Sequence, residues 1–170
     1  MFKAHWTSKE FLQPASICLA RTKDAHLKGT IGELVAWKYL RRYCHVWSVV
    51  AQWPVNILLG DALRSQYLKT RQVRYLKHHV LRGTYRWDFL AIRSAEFFSG
   101  NVQTRYLVEI KTGVMRKQKH GLRTFTPTLP KRSDYSKMIA EARSFGFTPI
   151  LIKVGIGERW TFHVSCRELL

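Results

Sequence analysis

The chain has 170 residues, 46% of them hydrophobic and 13% aromatic, which excludes a disordered polymer and suffices for one domain with a core of its own. Its 29 Lys and Arg against 11 Asp and Glu leave a formal charge of +18, a field that gathers polyanions and makes nucleic acid the expected partner. No apolar run reaches the ~18 residues of a membrane span, and the charge is spread along the chain rather than collected on one amphipathic helix, which argues against a membrane surface.

Residues 1–22 form an N-terminal arm. Within it Thr7-Ser8-Lys9-Glu10 has capping-box spacing ahead of a short helix that Pro14 interrupts. The weakly apolar run Phe11 to Ala20 carries Gln13 and Pro14, so it does not read as a signal peptide. Residues 23–170 read as a single domain. From Lys23 to Arg42 the pattern is helical, with Leu27, Ile31, Leu34 and Val35 at three- and four-residue spacing. This helix contains Gly29-Thr30-Ile31-Gly32-Glu33. Each glycine costs about 1 kcal/mol relative to alanine in a helix, so a close approach of backbone or phosphate is expected in return. By itself Glu33 is an ordinary helix-border glutamate, on a strip with Trp37 and Leu40.

Cys44 to Ala51 reads as a strand or a packed connection before Pro54, and residues 56–69 as a further helix. Gln72 to Val80 is expected to be a basic strand (Arg71, Arg74 and Lys77 supply charge), turning at Gly83 into a second strand, Tyr85 to Arg93. Residues 52–83 together make a basic insertion. Asp88 lies in the middle of that second strand, where a carboxylate is costly unless it is paired, hydrogen-bonded or metal-bound. Ser99-Gly100-Asn101 signals a turn, so the strand is expected to fold back on Tyr106-Leu107-Val108-Glu109-Ile110-Lys111-Thr112-Gly113. Alternation sends Val108 and Ile110 to one side of that last strand and Glu109 and Lys111 to the other. Asp88 and Glu109 then become neighbours on one face.

Met115 to Arg132 reads as a basic loop with Arg116, Lys117, Lys119, Arg123, Lys131 and Arg132, suited to holding phosphates. Ser133 to Phe145 is a helix closed by Gly146, Pro149 to Gly155 a buried strand, and Trp160 to Val164 a closing strand. Cys18, Cys44 and Cys166 are far apart and lack Cys-x-x-Cys spacing, which fits a reducing, intracellular setting, cytoplasm or nucleoid, or the host cell if the protein is viral.

Helix, three strands in a meander, helix and strand, with Asp88 and Glu109-Ile110-Lys111 on adjacent strands, resemble the PD-(D/E)XK nuclease superfamily. Within it, Lys28-Gly29-Thr30-Ile31-Gly32-Glu33 looks like the helix entry of archaeal-type Holliday junction resolvases and related viral nucleases. The resemblance covers residues 24 to 155. Trp87 stands where the superfamily's name has proline, and residues 52–83 exceed a minimal core.

The resemblance implies an α/β, restriction-endonuclease-like αβββαβ core with a central mixed sheet flanked by helices. It also implies a Mg²⁺-dependent endodeoxyribonuclease, with Mn²⁺ able to substitute. Asp88, Glu109 and the carbonyl of Ile110 would bind the metal, Lys111 would orient water, and Glu33 would complete the site. Lys28, Arg71, Arg74, Lys77, Arg116, Lys117, Lys119, Arg123, Lys131 and Arg132 would meet branched or double-stranded DNA, and a homodimer is expected. The alternative is a non-catalytic nucleic-acid-binding protein on the same fold.

Overall fold

Ile31, Val35, Ala36, Tyr39 and Leu40 are buried at helical spacing, and they wind Ala25–Leu40 into α1. It ends where the amides of Tyr43 and Cys44 both bond to the Leu40 carbonyl, at 2.9 Å. The structure, a computed structural model, describes residues 3–6, 25–48, 68–80, 87–94, 103–118, 121–123, 132–157 and 161–170.

After α1 come β2 (His45–Ser48), α2 (Thr70–Tyr75) running into a π-helical turn (Leu76–Val80), β3 (Phe89–Ser94) and β4 (Gln103–Val114). A hairpin of β5 (Arg116–Gln118) and β6 (Gly121–Arg123), α3 (Arg132–Ser144), β7 (Thr148–Ile156) and β8 (Phe162–Glu168) follow. With β1 (Lys3–Trp6), the strands make a six-stranded sheet in the order β1-β8-β7-β4-β3-β2. β2, β3 and β4 form an antiparallel meander, and β1 runs antiparallel to β8. The Met115 amide bonds to the Ile156 carbonyl at 2.9 Å, joining the C-terminal ends of neighbours β4 and β7, which therefore run parallel. The fold is α/β with a mixed sheet. No described helix is long and apolar enough to cross a membrane.

Packing separates two units interleaved along the chain. One comprises Met1–Tyr39, Ile110–Thr128 and Leu151–Arg167; the other Leu40–Glu109, Leu129–Ile150 and Glu168–Leu170.

In the second unit Gln72–Val80 is helical, not the expected strand. Tyr75, Leu76 and Val80 are buried, and Tyr75 packs its ring 5.1 Å from Phe145 and 5.5 Å from Phe147. The Tyr75 hydroxyl accepts a hydrogen bond from Trp87 Nε1 at 3.3 Å. Gln72, only 1% exposed, accepts from the Lys69 amide through Oε1 and donates through Nε2 to the Gly146 carbonyl, both at 3.0 Å. Lys69 itself is extended (φ −74°, ψ 153°) and stands before the helix, so the helix expected over 56–69 does not include it; residues 56–67 lie outside the described residues. Gln72→Ala orphans two backbone groups and is expected to cost about 2–3 kcal/mol. A fall in urea midpoint at constant m-value would measure it.

α3 stops in a Schellman turn. Gly146 has φ +82°, its amide bonds to Arg143 O at 2.8 Å, and the Phe147 amide bonds to Ala142 O at 3.1 Å. Tyr135, Met138, Ile139 and Ala142 form its buried side.

Other expectations shift. Asp88 stands at a bend before β3, not inside a strand, because the ladder begins only at Phe89. β4 continues past Gly113. The first part of the expected 115–132 loop is the β5–β6 hairpin. Of the arm, Lys3–Trp6 is an edge strand. The Thr7–Glu10 cap and the turns at Gly83 and Gly100 lie outside the described residues.

Candidate active site

β4 is buried on both faces through its middle: Leu107 and Val108 are fully buried, Glu109 is 6% exposed and Ile110 is 8% exposed. Such a strand normally carries only apolar residues, so a carboxylate at Glu109 demands polar company.

In the second unit Asp88 reaches β4 beside Glu109, at Val108. The register pairs Phe89 with Val108 and Ser94 with Gln103. The Asp88 amide bonds to the Val108 carbonyl at 2.8 Å, one step out of that register. Asp88 and Phe89 therefore both meet Val108, and the chain bends as it enters β3. The Asp88 backbone thus adjoins Val108, the residue before Glu109; Glu109 is buried and Asp88 half-buried. Asp88, Glu109 and Lys111 all have interaction partners.

In the first unit, α1 packs against the continuation of β4. A methyl group at Gly32 would overlap Thr112 Oγ1 and lie 2.7 Å from its Cβ, whereas Gly29 has open space around it. Gly32 is thus the glycine that close approach requires. Next to this contact is a cavity of about 200 Å³ lined by Ala25, Lys28, Gly29, Glu33, Ile110 and Thr112. Glu33, Ile110 and Lys28 therefore line one cavity. Ile110 and Thr112 share a face of β4 by alternation, which turns Lys111 to the other face. Lys111 does not line the cavity.

Burial pushes the Glu33 carboxyl above the usual glutamate range. Its proton is thus held more tightly in the folded chain than in the unfolded one. The stability this confers is fully present below the ordinary range and is lost as pH rises through the raised value. In metal-free protein, the melting temperature of the wild type is expected to fall relative to Glu33→Gln across that window. Parallel melts from about pH 4 to pH 7 measure it.

Arg71, Arg74 and Lys77 are exposed on α2 and its π turn. Arg116, Lys117 and Arg123 belong to the β5–β6 hairpin, Arg132 opens α3, and Lys119 and Lys131 lie outside the described residues. Among the described residues no three His, Cys, Asp or Glu side chains gather to hold a metal. A hard cation with one or two carboxylates, a carbonyl and retained waters does not require three. Thr112, to which the sequence pattern assigns no role, is the residue that seats α1. No family model, curated protein or solved structure matches this chain. Its function is read from these residues alone.

Proposed function

We propose that this protein is a metal-dependent endodeoxyribonuclease with a restriction-endonuclease-like αβββαβ core of the PD-(D/E)XK kind, selective for branched DNA such as a four-way junction. The observation that carries the reading is Asp88 bonding as it enters β3 to Val108 of β4, next to the buried Glu109, which is followed in sequence by Ile110 and Lys111. In a chain with 11 acidic and 29 basic residues, two carboxylates on adjoining backbone segments repel the phosphates that the rest of the protein attracts. A shared cation resolves that conflict.

The donor set is all oxygen, which suits Mg²⁺ and tolerates Mn²⁺. Asp88, Glu109 and the carbonyl of Ile110 would hold the ion. When bound, it neutralises charge on the scissile phosphate and lowers the pKa of water. Lys111 orients the attacking water and stabilises the negative charge that develops on the phosphate oxygens. By the resemblance alone, Glu33 would complete the site. Lys28 lines the cavity beside Glu33 and would offer a cation to a phosphate. Paired cuts across a junction require two active sites, so the working unit is a homodimer.

The test is incubation of the purified protein, with Mg²⁺ or with EDTA, with labelled four-way junction, flap, single-stranded and duplex DNA. Paired metal-dependent nicks in the junction are expected. Metal-dependent cutting of a different substrate would keep the nuclease and remove the junction. Binding without cutting under Mg²⁺ or Mn²⁺ would leave a non-catalytic nucleic-acid-binding protein.

A further inference from the structure

The segment Thr70–Val80 divides its side chains into two sets. Gln72, Tyr75, Leu76 and Val80 are buried, while Arg71, Arg74, Lys77 and His78 are exposed. These four recur at i, i+3, i+6 and i+7, so they share one side of the helix, and each is basic or can become so; Thr70, at the helix start, is exposed as well. On the strand Gln72–Val80 that the sequence alone suggests, Arg74 and Lys77 would have pointed to opposite faces; winding the segment into a helix brings them together. The ion pairs of His79 with Glu141 at 4.0 Å and of Arg143 with Glu168 at 2.8 Å involve none of the four.

We propose that the outer face of α2 and its π turn is a strand-tracking surface that binds consecutive phosphates of nucleic acid through Arg71, Arg74 and Lys77. The inference rests on the nucleic-acid part of the reading above but not on catalysis. Arg71 to Lys77 span about 9 Å of helix, and phosphates of one strand advance about 3.4 Å along a duplex axis, so the three cations reach over several successive phosphates. The platform is rigid. Gln72 ties α2 to the Gly146 carbonyl, Tyr75 stacks on Phe145 and Phe147, and Arg71 extends its guanidinium over Gly146, within 2.8 Å of where a Cβ would be. Side chains mounted on a fixed helix lose less freedom on binding than side chains on a loop.

An anionic membrane is the other polyanion such a face could meet. A helix that lies on a membrane inserts its apolar side. Here that side is already used, with Tyr75 and Leu76 fully buried and Val80 5% exposed. None of the exposed residues of Thr70–Val80 is apolar, which favours a hydrated phosphate backbone.

The experiment measures binding to a labelled duplex and to a labelled single strand in EDTA over a range of salt, so that cleavage plays no part. Each phosphate-bound cation contributes about 0.9 to the slope of log K against log salt on duplex and about 0.7 on a single strand. The triple variant Arg71→Gln, Arg74→Gln, Lys77→Gln is expected to lose about 2.7 of slope on duplex or about 2.1 on single strand. A control with the same charge change at the exposed residues Arg93, Lys137 and Arg167, all to Gln, is expected to lose less than the equivalent of one cation. The charge-keeping variant Arg71→Lys, Arg74→Lys, Lys77→Arg is expected to retain the slope, which separates lost charge from lost fold. Equal losses in the test and control triples would mean a diffuse field and overturn the proposal. So would an unchanged DNA slope accompanied by lost binding to phosphatidylserine vesicles. Absence of DNA binding by the wild type would overturn this surface and the nuclease together, whereas DNA binding without cleavage would leave the surface standing.

Discussion

Glu109→Gln is expected to lower metal-dependent cleavage by about 10²–10³-fold, the usual consequence of removing one group that governs charge in the transition state. Gln keeps the volume of a side chain that is only 6% exposed, so the fold is retained and the loss reports chemistry. Binding should move the other way. In EDTA no cation screens the carboxylates, and replacing Glu109 by a neutral amide removes a repulsion of phosphate. The variant should therefore bind DNA as tightly as the wild type or tighter. Asp88→Asn should repeat both effects, and the double variant should lose little more than either single one, because residues acting as a unit are not additive. Lys111→Met separates from these: it should lose cleavage by a similar factor while also weakening binding, since it removes a cation. Single-turnover cleavage at saturating protein, beside anisotropy in EDTA, reads both quantities. A Glu109→Gln protein that cuts at the wild-type rate would sink the proposed site.

How much of this was legible in sequence depends on the distance over which each decision is made. α1, α3, β3, β4 and β7 declare themselves because their buried residues repeat within a window of a few turns. Ile31, Val35 and Tyr39 do so at helical spacing, and Ile150, Leu151 and Ile152 as a continuous apolar run. α2 does not. Its buried face includes a glutamine, which any polarity pattern counts as solvent-facing, and the carbonyl that satisfies that glutamine is Gly146, 74 residues away. With Gln72 scored as exposed, alternation and helical period fit Gln72–Val80 about equally well, and the basic residues tip the reading towards a strand.

The site shows the same division. Glu109 and Asp88 stand out in sequence because acids are scarce in this chain and both are flanked by apolar residues. That Asp88 sits at a bend, its amide one step out of register on Val108, is set by how β3 meets β4. No run of residues around Asp88 encodes it. The role of Thr112 is hidden for the same reason. A threonine after Glu-x-Lys is unremarkable until α1 is laid against it.

That contact makes the two glycines of α1 opposites under one substitution. Gly29→Ala gains helix propensity, about 1 kcal/mol, and meets nothing within 4 Å, so it is expected to raise stability by up to that amount. Gly32→Ala gains the same propensity but places its methyl over Thr112 Oγ1, 2.7 Å from Thr112 Cβ and 2.9 Å from Cγ2. Thr112 is β-branched and held in a strand, with little rotamer freedom to move aside. Either α1 or β4 must shift, and overpacking of this kind costs about 1–3 kcal/mol. Gly32→Ala is therefore expected to destabilise by as much as 2 kcal/mol after its propensity gain. Thermal and urea melts of the two variants measure the divergence. Thr112→Gly added to Gly32→Ala should recover part of the loss by removing the obstructing side chain. Cleavage adds an independent readout, because a displaced α1 carries Glu33 away from Ile110. Gly32→Ala should then lose activity beyond what its stability explains, at a temperature where both variants are fully folded. Equal stability in Gly29→Ala and Gly32→Ala would mean that α1 does not rest on Thr112, and the cavity holding Glu33 would have to be drawn elsewhere.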